Sequence, residues 1–149
     1  MRRMAPAVLA GALVALALAS CGSSSLSDRD LRADATQLCN VARFRTDRIS
    51  APRSPAAGLA YLRRGVSVLA PELGALRRLG PSSDLAKDYN ATVAEFASTV
   101  QALRAAIAGL QRGGEPVSTY QALQRQLAPI LARENEAWQG LQIPACVNR

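Results

Sequence analysis

Three cysteines, at positions 21, 39 and 146, are the side chains with the most chemistry open to them, since thiolates are nucleophiles and metal ligands and thiol pairs oxidise to disulfides. No histidine accompanies them, and both methionines, Met1 and Met4, lie at the very start of the chain. Without imidazole, Ser-His-Asp and Cys-His catalysis and the His-ligated haem, zinc and di-iron sites each lack a required member. The carboxylates offer no acid–base pair. Asp28, Asp30 and Asp34 fall in the opening turns of one predicted helix, and Asp84 and Asp88 in those of another, where negative charge offsets the helix dipole. No D-x-D-x-D-G calcium loop is present. Glu134 is different, because it falls on an apolar stripe between Leu131 and Trp138, where a half-buried carboxylate needs a partner. By height in an antiparallel layout the nearest candidates are Tyr89 and the Arg77-Arg78 pair.

The cations are unevenly spread. Between Arg43 and Arg78 there are eight Arg against Asp47 and Glu72, net +6, whereas residues 81–149 balance six against six. Arg63 with Arg77, and Arg64 with Arg78, are spaced to lie along one helical stripe roughly 21 Å long. A solvated polar face is the ordinary reading of such a stripe. Its sharper alternative is contact with an anionic surface, lipid headgroups or a wall polymer, for which guanidinium forks suit phosphate. Nucleic acid is not expected as a partner, since no aromatic residues interleave with the cations to stack on bases.

The start of the chain has its own organisation. Arg2-Arg3 precede an apolar run from Ala5 to Ala19, which falls short of the roughly 20 residues a membrane span requires and reads as a signal-peptide core. It ends on Leu18-Ala19-Ser20-Cys21, followed by Gly22-Ser23-Ser24-Ser25. These four residues resemble the lipobox of bacterial lipoproteins: an aliphatic residue, two small residues, then Cys. The resemblance implies a signal peptide at 1–20, cleavage before Cys21, a diacylglycerol on its thiol and an N-acyl chain such as palmitate on its new amino terminus. Residues 21–26 are then the lipidated Cys and a flexible tether, and the protein is held on the extracytoplasmic face of the cell membrane. The alternative is a plain secretory peptide with an A-x-A-like site at Ala17 and Ala19. The remainder resembles small, uncharacterised helical lipoproteins of GC-rich bacteria, a resemblance that transfers no functional residue. Given an oxidising compartment and Cys21 consumed, Cys39 and Cys146 are left as an even pair and are expected to form a disulfide. No other cofactor and no metal is expected.

The elements that must position these residues are all helical. Ser27 caps a first helix over about 28–50, with a stripe of Leu31, Ala35, Leu38, Ala42 and Ile49 that Val41 and Phe44 widen. Ser54-Pro55 opens a second, about 55–79, whose seam is Leu59, Leu62, Val66, Leu69, Leu73 and Leu76, with Pro71 kinking it. The third, about 84–112, carries Leu85, Tyr89, Val93, Phe96, Val100, Leu103, Ile107 and Leu110 and ends at Gly113-Gly114. A capping box over Ser118–Gln121 opens the fourth, about 119–139, after which Leu141–Cys146 forms a tail long enough to reach Cys39 if extended. Short connections and no β-like alternation give an all-α domain over 27–149, an antiparallel up-down-up-down four-helix bundle. The pattern L-A-P-x-L occurs at 69–73 and 127–131, each following a tyrosine, Tyr61 or Tyr120; it fits two helical hairpins related by duplication, with matching kinks, but coincidence in a Leu- and Ala-rich chain is the preferred reading.

The function expected is that of a non-catalytic, lipid-anchored helical domain that binds or scaffolds another envelope component, a protein or an anionic polymer. The runner-up is a carrier of a small apolar or amphiphilic ligand, held in a cleft between kinked helices near Pro71 and Pro129 with Tyr61 or Tyr120 as a polar handle. Leu at nearly every seam position of the second helix favours a closed core, whereas a carrier needs small residues along its cleft.

Overall fold

Ser27 opens the first helix, α1 (Asp28–Thr46), by accepting from the Asp30 N–H at 3.2 Å and donating to the Asp30 carboxylate at 2.6 Å. The computed structural model that shows this describes residues 25–148, so the expected signal segment and Cys21 lie outside the described residues. Leu31, Ala35, Cys39 and Ala42 are buried along one face. Val41 and Phe44 do not widen it: both are exposed, and the Phe44 ring instead carries the Arg48 guanidinium 3.9 Å from its centroid. α1 also stops short of Ser50. The Thr46 hydroxyl donates to the Arg43 carbonyl at 2.9 Å and the Ile49 N–H closes on the Thr46 carbonyl at 2.8 Å, turning the chain towards Pro52 before the apolar pattern runs out.

Where the sequence predicts one helix over 55–79, a single 3₁₀ turn at Pro55–Ala57 precedes α2 (Gly58–Leu76). The far end is shortened because the Arg78 and Leu79 N–H groups bond to Ala75 and Leu76, three residues back, tightening the last turn ahead of Gly80-Pro81. α2 passes through Pro71, and α4 through Pro129, as continuous helix. α3 (Ser83–Gln111) ends as expected, with Gly113 at φ +88° and the Gly114 N–H returning to the Gly109 carbonyl at 3.0 Å.

α4 (Pro116–Gly140) begins earlier than the Ser118 capping box suggests. Its cap is Glu115, whose carboxylate accepts from the Val117 N–H at 2.9 Å and the Ser118 N–H at 2.7 Å, with Pro116 at the first helical position. Those two bonds favour the ionised form and hold the Glu115 carboxyl below its ordinary pKa. After α4 the tail does not extend. Gln142 takes a left-handed φ of 60°, the Ile143 N–H returns to the Trp138 carbonyl at 3.0 Å, and Pro144–Cys146 coils into a 3₁₀ turn with Leu141, Ile143 and Cys146 buried. A side chain in that conformation is strained, so Gln142→Gly is expected to raise stability by up to about 1 kcal/mol, read as a higher urea midpoint. An unchanged or lower midpoint would show that Gln142 is at ease there.

The described residues contain four packed helices and no strand. α3 packs on both α2 and α4, while α1 packs on α2 and on the Pro144–Cys146 turn. Lengths differ: α1 and α2 have 19 residues each, about 28 Å, whereas α3 has 29, about 43 Å. The core divides accordingly. The larger part gathers Leu31, Cys39, Leu73, Leu76, Tyr89, Phe96, Trp138 and Ile143 where all four helices and the tail meet, and the smaller gathers Leu62, Ala102, Ala106 and Leu123 between α2, α3 and α4.

Candidate functional site

Cys39 and Cys146, the pair expected from the sequence, are joined by a disulfide with Cα atoms 5.1 Å apart, and both are fully buried. Nearby, the Tyr89 and Trp138 rings meet edge to face at 6.2 Å, and the Tyr89 hydroxyl donates to the Leu76 carbonyl at 2.9 Å. Burial raises the Tyr89 pKa far above its ordinary value, so the hydroxyl stays a neutral donor. This end of the molecule is a filled core.

Glu134 is buried, as its position on the stripe implied. It accepts a hydrogen bond from the Thr99 hydroxyl at 2.8 Å, and neither Tyr89, committed to Leu76, nor the exposed Arg77 and Arg78 provides that bond. Thr99 was not anticipated, because threonine is unremarkable beside the larger apolar residues of its helix. Glu72 was missed too: it lies one residue off the leucine seam of α2, yet is only 6% exposed.

The other end of the bundle is not filled. Beyond the disulfide region a cleft of about 460 Å³ opens between α2 and α4, with α3 beneath and Thr46, Ile49 and Pro52 beside it. Its size lies within the roughly 300–1,000 Å³ of small-molecule sites. Leu69, Leu103, Leu127 and Leu131 line it and remain half-exposed, together with Tyr61 and Tyr120. No charged side chain lines it. Two glycines line it, with different surroundings. A Cβ on Gly65 would meet nothing within 4 Å, so the missing side chain is empty space in the cleft wall. A Cβ on Gly58 would collide with the Tyr120 ring, which lies across the start of α2 and whose hydroxyl donates to the Pro55 carbonyl at 3.2 Å. Pro71 and Pro129 are exposed and do not line the cleft, which runs between Gly58 and Leu69 on α2 and between Tyr120 and Leu131 on α4. Both copies of L-A-P-x-L give their first leucine to it, and both bury the residue after proline, Glu72 and Ile130.

The arginine stripe is divided. Arg63 and Arg64 are exposed on α2, while Arg77 and Arg78 lie past its last residue. Arg64 lines a depression of about 230 Å³ together with Arg53, and that depression shares Pro52 and Tyr61 with the cleft. Arg133 pairs with Glu95 at 3.2 Å, and among the described residues no group of three side chains that could hold a metal ion occurs and no helix is long and apolar enough to cross a membrane. Known protein families, curated proteins and solved structures contain no match to the chain.

Proposed function

We propose that the chain is a non-catalytic lipoprotein, anchored through acylated Cys21 on the extracytoplasmic face of the cell membrane, whose up-down-up-down bundle carries a small apolar or amphiphilic molecule. The observation that carries this reading is the unsealed, charge-free cleft between α2 and α4. Half-exposed leucines are costly to leave in water, at about 25 cal/mol per Å² of apolar surface, and a ligand that covers them gains that free energy. Gly65 supplies a small residue of the kind a carrier needs, beside a seam that the leucines alone suggested was closed. Support for the topology comes from one end, where the Leu26 N–H meets the Gly80 carbonyl at 2.7 Å and Ser82 donates to Asp28, so the start of α1 sits at the α2–α3 connection. The anchor rests on Leu18-Ala19-Ser20-Cys21 after a charged and apolar leader, and the compartment also on the disulfide.

A second reading, docking of another envelope component, draws its support from exposed Val41 and Phe44 on the outer side of α1. Native mass spectrometry of protein purified from its own host, followed by organic extraction, separates the two. A stoichiometric amphiphile in the extract is the expected result; an empty cleft and a co-purifying protein would transfer the function to the second reading. Intact mass of the same material reads the anchor, which requires a diacylglyceryl group on a chain beginning at Cys21.

A further inference from the structure

Resting on the carrier reading, we infer that the ligand is an anionic single-chain amphiphile, its tail in the apolar cleft and its headgroup held by Arg53 and Arg64. The cleft itself has no side chain able to neutralise a charge, and burying an unpaired ion there is prohibitive. A charged headgroup must therefore leave the cleft where cations stand, and the adjoining depression is such a place. Arg53 and Arg64 both line it, and Pro52 and Tyr61 line both cavities, so the two adjoin and the arginines stand beside the edge of the cleft. Neither arginine has an ion-pair partner among the described residues, which leaves their forks available for an oxyanion. Tyr61, 40% exposed, presents a phenol at the boundary between the apolar and charged parts. Carboxylate and phosphate monoester heads share the chemistry that two guanidinium groups recognise, a compact oxyanion that accepts paired N–H bonds.

The full protein held in phosphatidylcholine nanodiscs, with empty nanodiscs as the blank, is titrated at pH 8 with dodecanoic acid, dodecyl phosphate and dodecan-1-ol. The anionic probes are expected to bind at least about tenfold more tightly than the alcohol, from charge-assisted bonds the alcohol cannot make. In the double variant Arg53→Gln/Arg64→Gln that advantage disappears while binding of the alcohol is unchanged. A preference for dodecyl phosphate over the acid assigns a phosphoryl head, the reverse a carboxylate, and equal binding is accepted by the same site. Acid, phosphate and alcohol binding equally to the wild type, or an anionic advantage that survives in the variant, overturns the inference and leaves the carrier reading standing. No binding of any of the three overturns both. Thermal unfolding of the variant, expected to match the wild type because both arginines are exposed, shows that lost binding is not lost structure.

Discussion

Reduction of the Cys39–Cys146 bond, or its replacement by Cys39→Ala/Cys146→Ala, is expected to cost 3 to 5 kcal/mol of stability. The two residues are 107 apart in sequence, so the cross-link constrains nearly all of the unfolded domain, and the chain-entropy relation gives about 4.7 kcal/mol for a loop of this size. A second contribution comes from the tail. Leu141, Ile143 and Cys146 are buried in the larger core, and the Arg32 guanidinium donates to the Leu141 carbonyl at 2.9 Å, but no regular helix beyond Gly140 fixes the segment. Once the bond is cut, the coiled tail keeps those contacts and two hydrogen bonds between Asn148 and Asn135 of α4, at 2.9 and 3.0 Å, but loses its covalent hold on α1, and any loosening exposes Trp138. Urea unfolding followed by Trp138 fluorescence, with and without reductant, measures the effect. A midpoint that hardly moves on reduction would mean that packing of the tail, not the covalent link, holds this end together.

Gly65→Trp is expected to weaken binding of dodecanoic acid by roughly 10- to 100-fold, the range in which overfilling an occupied apolar site is felt. The argument turns on what surrounds the position. An added Cβ touches nothing within 4 Å, so an indole grows into the cleft and not into a helix, and takes the volume that the ligand's chain would use. Gly65→Ala is the control. It removes the helix penalty of an interior glycine, worth about 1 kcal/mol, and leaves most of the cleft open, so it should raise stability and keep binding. Calorimetry in the same nanodiscs gives affinity, and thermal unfolding gives stability. Undiminished affinity in the tryptophan variant would remove the cleft from the function altogether.

The sequence is informative about the filled half of this molecule and nearly silent about the open half. Ser27, the Gly113 turn, the stripe through Tyr89, Val93, Phe96 and Val100 and the cysteine pair are legible because each depends on local chemistry or on periodicity. Glu115 as a cap is harder to read, since Ser118 offers the more usual signal three residues later and only the carboxylate's two bonds decide between them. Phe44 stands about 200° around α1 from the face of Leu31, Ala35 and Ala42, so its exposure follows from helical spacing and its hydrophobic type alone makes it look like a core residue. The cleft is hidden because it is a property of neighbours and not of spacing. It arises where a 29-residue helix outruns a 19-residue one and where Gly65 stands beside the leucine seam, and counting leucines on that seam suggests closure. Arg53 lies in a connection, where no periodicity points to it, and only its place beside Arg64 along one depression brings it into the proposed site.

The position of the disulfide also decides how the protein answers to force. If Ser25 and Asn148 are pulled apart, the load enters at α1, crosses to the tail at Cys39 and leaves, while everything from 40 to 145 sits in a closed covalent ring that carries no tension. The chain can then lengthen by no more than about 60 Å, against more than about 400 Å if the bond were absent. The ring contains every residue that lines the cleft. A tug along that line would peel the first turns of α1 from the α2–α3 connection and the tail and leave the cavity intact, because the bond diverts the load before it reaches the ring.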